Sequence, residues 1–134
     1  MLLNPSPVRE LPAELLTCVS LLVLNEGEAA AIGDDALAGI PHVVTTLGAA
    51  GARYPGPDGG FEVGAPAVDA VDTTGAGDAF TGALAVAWTG GLPPRESVER
   101  ACAAGALATT TPGAASSSPV RSAIDELARI TYRN

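Results

Sequence analysis

The stretch Val71-Asp72-Thr73-Thr74-Gly75-Ala76-Gly77-Asp78-Ala79-Phe80 holds the densest set of residues able to do chemistry, because a glycine-bearing loop there runs straight into an alanine-rich helical segment. A helix start leaves about four backbone N–H groups without intrahelical acceptors and carries roughly half a positive charge. Gly75, Ala76 and Gly77 can therefore surround an anionic oxygen with no bulky side chain in the way. Asp78 then stands beside that anion, where a carboxylate suits the removal of a proton from an attacking hydroxyl. The pairing points to phosphoryl transfer, in which positioning and charge stabilisation carry most of the catalysis. The same residues also suit a plain turn followed by an acidic first helical turn, with Asp78 simply favourable to the helix dipole.

Two further clusters stand upstream. Asn25 and Glu28 have the spacing of a capping box, in which each side chain accepts from the other residue's backbone N–H. Thr46-Leu47-Gly48-Ala49-Ala50-Gly51 places two glycines after an apolar run, where a strand's carboxyl end opens onto a ligand crevice in α/β sheets.

Charge and composition exclude much else. Seven basic residues face fifteen acidic ones in 134, a net charge of -8, so the surface repels a phosphate backbone and nucleic acid is not an expected partner. All seven basic residues are Arg; with no Lys, a Walker A loop and Schiff-base chemistry are excluded. Cys18 and Cys102 are too few for a disulfide scaffold and too far apart for a CxxC site. The single histidine, His42, follows Pro41 and enters an apolar run, which reads as a strand start rather than a ligand. No apolar run approaches the 18 or so residues of a membrane span, so no membrane partner is expected. The opening Met1-Leu2-Leu3-Asn4-Pro5 lacks the features of a secretory signal, and a cytoplasmic location is the expectation.

These residues need a scaffold, and the pattern supplies an α/β one. Asn4 to Pro7 reads as a rigid turn and Leu11 to Val19 as a short helix; Ser20 to Leu24 and His42 to Leu47 suit buried, parallel strands. Glu26 to Ile32 and Asp34 to Ala38 read as helices stopped by Gly33 and Gly39. Arg53-Tyr54 and Phe61 to Val63 flank a turn at 55–60, predicting a hairpin at the sheet's margin. Gly77 to Thr89 and Pro94 to Thr110 are long helices joined by stop-and-restart residues, Thr111 to Ser118 is a polar loop, and Arg121 to Arg129 is an amphipathic helix. No composition shift cuts the chain, so one architectural unit is expected, with only three to four strands and hence exposed apolar sheet edges.

The run from Asp72 to Ala83 resembles the signature of the ribokinase-like sugar kinases, also called the phosphofructokinase B type. The resemblance implies a ribokinase-like, Rossmann-type three-layer sandwich with a mostly parallel sheet, present here as its C-terminal portion alone, without the N-terminal sugar-binding part and lid. It implies that Gly75, Ala76 and Gly77 form the anion hole and that Asp78 is the catalytic base. Asn25 would lie near ATP, and Glu28 would act through the magnesium and phosphate shell. Thr46, Gly48 and Gly51 would line the nucleotide, with Cys102 standing where related kinases place a residue against adenine; a buried core thiol is the alternative there. Asp72, Thr74, Ala108, Thr111, Gly113 and Ser117 match positions that hold a monovalent cation, commonly potassium.

The opening Leu3 to Pro12 resembles a mid-chain segment of ribokinases, which implies ribose or a similar pentose as the sugar. The implied reaction is ATP plus sugar to sugar phosphate plus ADP. The alternative is a nucleotide-binding or interaction module without catalysis. Expected partners are ATP, a small sugar, and either a second copy or a separate N-terminal half.

Overall fold

The computed structural model describes residues 1–5, 10–56, 59–113 and 119–133. These form two compact units, Met1–Glu62 and Val63–Asn134. The boundary coincides with a strand end followed by residues 64–73, which take no helix or strand, so conformation marks it where composition does not.

The first unit is built on strands β1 (Leu2–Leu3), β2 (Leu21–Asn25), β3 (His42–Thr46), β4 (Ala52–Tyr54) and β5 (Phe61–Val63, whose last residue opens the second unit). They lie side by side in chain order. β1 pairs parallel with β2 and β2 with β3, while β4 turns back antiparallel to β3. All of Leu21, Leu22, Val23 and Leu24 are buried, as an interior parallel strand requires. Leu22, Leu24 and Val43 pack with Val19 and Ile40 against Leu16, Ala29, Ile32 and Leu37. Those last four come from helices α1 (Ala13–Leu16), α2 (Glu26–Ile32) and α3 (Asp34–Ala38). α1 is shorter than the anticipated helix over Leu11 to Val19, because Val19 is drawn into the core and the chain straightens into β2. β1 is the strand that the pattern did not reveal. His42 is the first residue of β3, and its Nδ1 lies 2.7 Å from the Tyr54 hydroxyl.

The second unit contains α4 (Ala76–Thr89), α5 (Pro94–Ala108) and α6 (Arg121–Tyr132). α4 and α5 pack closely: a methyl added at Gly105 would lie 3.4 Å from the Ala76 carbonyl oxygen and 3.6 Å from Phe80 Cβ. Glu99, buried in α5, is neutralised by Arg133 beyond α6, and the Tyr132 hydroxyl donates to the Gly64 carbonyl at 2.7 Å. Among the described residues no helix is long and apolar enough to cross a membrane.

Leu22, with none of its surface exposed, anchors the first unit. Leu22→Ala should lower stability by about 2–5 kcal/mol, through lost burial plus an unfilled cavity. A urea midpoint equal to that of the parent chain would show that this core is not what holds the unit.

Candidate active site

In the first unit the site residues collect at the carboxyl ends of the parallel strands. Asn25 ends β2 and Thr46 ends β3; the two are register partners, and Thr46 is in turn the partner of Ala52 on β4. Asn25 caps α2: its Oδ1 accepts from the Glu28 N–H at 2.8 Å, and Glu28 Oε1 accepts from the Asn25 N–H at 2.8 Å. Both halves of the capping box are therefore present. Each side chain keeps a second polar atom, Asn25 Nδ2 and Glu28 Oε2, although only 8% of the Glu28 surface is exposed.

Beyond Thr46 the chain makes a single 3₁₀ turn, Gly48–Ala50, between glycines at positive φ (Gly48 60°, Gly51 112°). The turn closes on itself, with Leu47 N–H donating to Gly51 O at 2.8 Å and Gly51 N–H to Gly48 O at 3.1 Å. Thr46, Gly48 and Gly51 thus form one small loop at the strand ends.

In the second unit, Thr73 to Ala76 form a type II turn. The Ala76 N–H donates to Thr73 O at 3.2 Å, and Gly75 at the third position has φ 82° and ψ -4°, a conformation that strongly favours glycine. Gly75 then caps α4, its carbonyl accepting the first helical bond from Ala79 N–H at 3.0 Å. The turn bond engages the Ala76 N–H, the middle residue of the anticipated anion hole. The amides of Gly77 and Asp78 take no backbone acceptor among the described residues. A Cβ added at Gly77 would meet nothing within 4 Å, so open space lies where the missing side chain would be. Asp78 is exposed in the same first turn.

The loop ahead of this turn is held by main-chain bonds. Val71 and Asp72 both donate their N–H groups to the Thr109 carbonyl, at 2.7 and 3.0 Å. The Asp72 carboxylate accepts from Thr74 N–H at 2.9 Å and from Gly113 N–H at 3.1 Å. Hydrogen bonds from Thr74, through side chain and backbone, and from the Gly113 amide lower the Asp72 pKa to about 2, so it stays ionised at any physiological pH. Asp72, Thr74 and Gly113 are thereby brought together, with Thr111 exposed two residues before Gly113 and Ala108 buried as the last residue of α5. Ser117 lies outside the described residues. An ionised carboxylate held in this way suits a hard cation. Among the described residues no three His, Cys, Asp or Glu side chains gather as metal ligands.

For Cys102 the sequence left two places open, against a base or as a buried core thiol. It is 4% exposed and lies in the core of the second unit, where burial pushes its thiol up to about 12. The core-thiol alternative describes it. Thr109 is a residue that side-chain reasoning missed, since a main-chain carbonyl leaves no mark in residue type; Gly105, an interior helix glycine, did leave one.

The model of the pfkB family carbohydrate kinases matches residues 1–121. The chain belongs to the pfkB family. One pfkB relative, the ribokinase of Bacillus subtilis, is 36% identical over 135 residues, which cover 95% of this chain and 45% of that protein. The structure of Arabidopsis thaliana ribokinase complexed with ribose and ATP superposes with a TM-score of 0.84 at 30% identity, over 96% of this chain and 47% of that one. The Thermotoga maritima ribokinase structure gives 0.86 at 31% identity, over 94% and 48%. The fold is thus the ribokinase-like α/β fold, and the chain spans about half the length of the curated pfkB relatives it matches.

The Asp72 tie carries a pH signature. A depressed carboxylate pKa stabilises the folded loop above its ordinary value of 3.8, and that contribution is lost as pH falls through about 2. Carbon-detected NMR should therefore show Asp72 titrating near pH 2, with Gly113 amide protection falling in step, and Asp72→Asn should lose that protection at every pH. Titration near the ordinary value would mean that the tie does not form.

Proposed function

We propose that the chain is the ATP-binding and catalytic portion of a ribokinase-like carbohydrate kinase, transferring the γ-phosphoryl group of ATP to a sugar hydroxyl, with ribose to ribose 5-phosphate as the favoured reaction. The observation that carries this reading is the entry to α4. There, a type II turn delivers Asp78 and the Gly77 and Asp78 amides together beside open space. The pentose is supported by ribokinases among the relatives and by the ribose- and ATP-bound neighbour.

Asp78 accepts the proton of the sugar's primary hydroxyl, whose oxygen forms a new bond to the γ-phosphorus as the bond to the β-phosphate oxygen breaks and ADP departs. The Gly77 and Asp78 amides hold the oxygens on which charge accumulates. Glu28, oriented by its cap, would present Oε2 to the water shell of a magnesium ion, and Asn25 and the Thr46 to Gly51 loop would line the nucleotide. Asp72, with the carbonyls of Thr74, Ala108, Thr111 and Gly113, would hold potassium. When bound, these cations supply fixed positive charge against the phosphates and behind the anion hole.

Two substitutions separate this reading from simple helix capping. In a chimera joining the chain to the unmatched half of the Bacillus subtilis ribokinase, Asp78→Asn should lower ribose phosphorylation by about a hundredfold to ten-thousandfold, leaving ATP affinity within about twofold. Gly77→Ala should favour the helix by roughly 1 kcal/mol and so raise the melting temperature, yet cut transfer by filling the anion space. Transfer unchanged in both variants returns these residues to a purely structural role.

Potassium should activate the same chimera. Exchanging it for tetramethylammonium, too large for a carbonyl-lined site, should lower turnover severalfold by loosening the loop that aims the amides. Equal rates in the two salts would remove the cation site.

A further inference from the structure

The side of the first unit's sheet that faces α2 and α3 carries a groove of about 810 Å³. Its floor is Val43 and Thr45 of β3 with Arg53 of β4, and its wall is Ala29 and Ala30 of α2 with Leu37 of α3. Thr45 and Arg53 are register partners and share this face, whereas Thr46, next along β3, belongs to the opposite one. The groove is therefore separate from the Thr46 to Gly51 loop. Its opening follows from the length of α3: five residues rise about 7.5 Å, against about 16 Å for the five residues of β3. Too short to lie along all of the strand, the helix leaves the groove beside it.

Thr45 is only 9% exposed, and its hydroxyl takes no hydrogen bond among the described residues. None of their side-chain nitrogens or oxygens that are sealed from solvent lacks a partner, so this hydroxyl opens on the groove. A group so placed gains a bond only from something that enters. Arg53 Nε donates to Glu62 Oε1 at 2.8 Å, and its two terminal amino groups keep their hydrogens for another acceptor. Glu62, and more weakly Glu26, hold the guanidinium in its charged form. Glu26 and Asp34 stand exposed on the groove. They oppose an anion there and Arg53 opposes a cation, whereas an uncharged ligand that both accepts and donates meets neither repulsion. The rest of the lining is largely apolar, and the small alanines of α2 let a flat ring lie close.

We propose that this groove binds an uncharged heterocycle bearing a lactam edge, the adjoining carbonyl and N–H of a purine or pyrimidine base. The carbonyl accepts from the terminal amino groups of Arg53, the ring N–H donates to Glu26, and the Thr45 hydroxyl bonds a further polar atom of the ring. Adenine has no lactam, so ATP is not the occupant. The site goes beyond the kinase reading and does not depend on it.

Hypoxanthine is the probe, read through the amide chemical shifts of the chain. Shifts should centre on Ala30, Leu37, Val43, Thr45 and Arg53, and should persist in excess non-hydrolysable ATP analogue. Thr45→Val keeps the side-chain shape; it should weaken binding about tenfold and leave the urea midpoint equal or higher, since an unbonded hydroxyl has gone. Arg53→Gln should weaken binding by a similar factor, and so should replacing the probe by unsubstituted purine, which has no carbonyl. Ala30→Trp, at an exposed position of α2, should abolish binding with helical circular dichroism intact. No shift at millimolar hypoxanthine overturns the proposal, as does equal binding by Thr45→Val or by purine. Displacement by the ATP analogue moves the ligand to the nucleotide loop and overturns it too. Binding that vanishes in the chimera with the unmatched half of the Bacillus subtilis ribokinase also overturns it, because the groove would then be covered in a whole kinase.

Discussion

The Asp72 carboxylate joins backbone segments 41 residues apart, and the geometry of the second unit's chemistry follows from that bond. The loop it holds has almost nothing else to anchor it: Val71 is 65% exposed, and Thr73 and Thr74 are exposed too. Apolar burial cannot fix such a segment, so hydrogen bonds must. An ionised acceptor makes those bonds stronger than neutral ones, and the paired donation of Val71 and Asp72 to Thr109 fixes the direction in which the chain enters the Gly75 turn. From that turn onward the positions of Gly77 and Asp78 are set by helical geometry alone.

The first unit solves a related problem with more economy. The bonds that close the start of α2 also hold Asn25 and Glu28 in one rotamer each, so a structural cap doubles as an orienting device for the atoms it leaves over. The capping reading of the Asn25 and Glu28 spacing describes this arrangement. Register pairing sets Asn25 beside Thr46, and β4 runs back antiparallel after a five-residue loop, 47–51, that needs two glycines.

Residue type made some of this visible and hid the rest. α2 and α3 begin and end where Asn25, Gly33 and Gly39 mark them, because caps are local chemistry. The long helices differ from expectation by one to three residues at their ends, where fraying and turn bonds compete. β1 was invisible because two leucines have no periodicity, and it exists only through pairing with β2. In the site, the passage from loop to helix at Gly75 was legible, whereas the use of the Ala76 amide and the Thr109 carbonyl was not: every residue carries those groups. Cys102 was open to two readings because a thiol suits either a core or a ligand, and only packing decides between them.

Strand order carries a consequence for how the molecule forms. Because β1 to β5 lie in the sheet in the order in which they occur along the chain, each strand need only find its immediate predecessor. Parallel sheets are ordinarily slow to assemble, since crossovers must close long loops before pairing compensates for the entropy lost. Here the crossovers from β1 to β2 and from β2 to β3 are short, and the sheet can grow by one edge as the polypeptide leaves the ribosome, without waiting for residues made later.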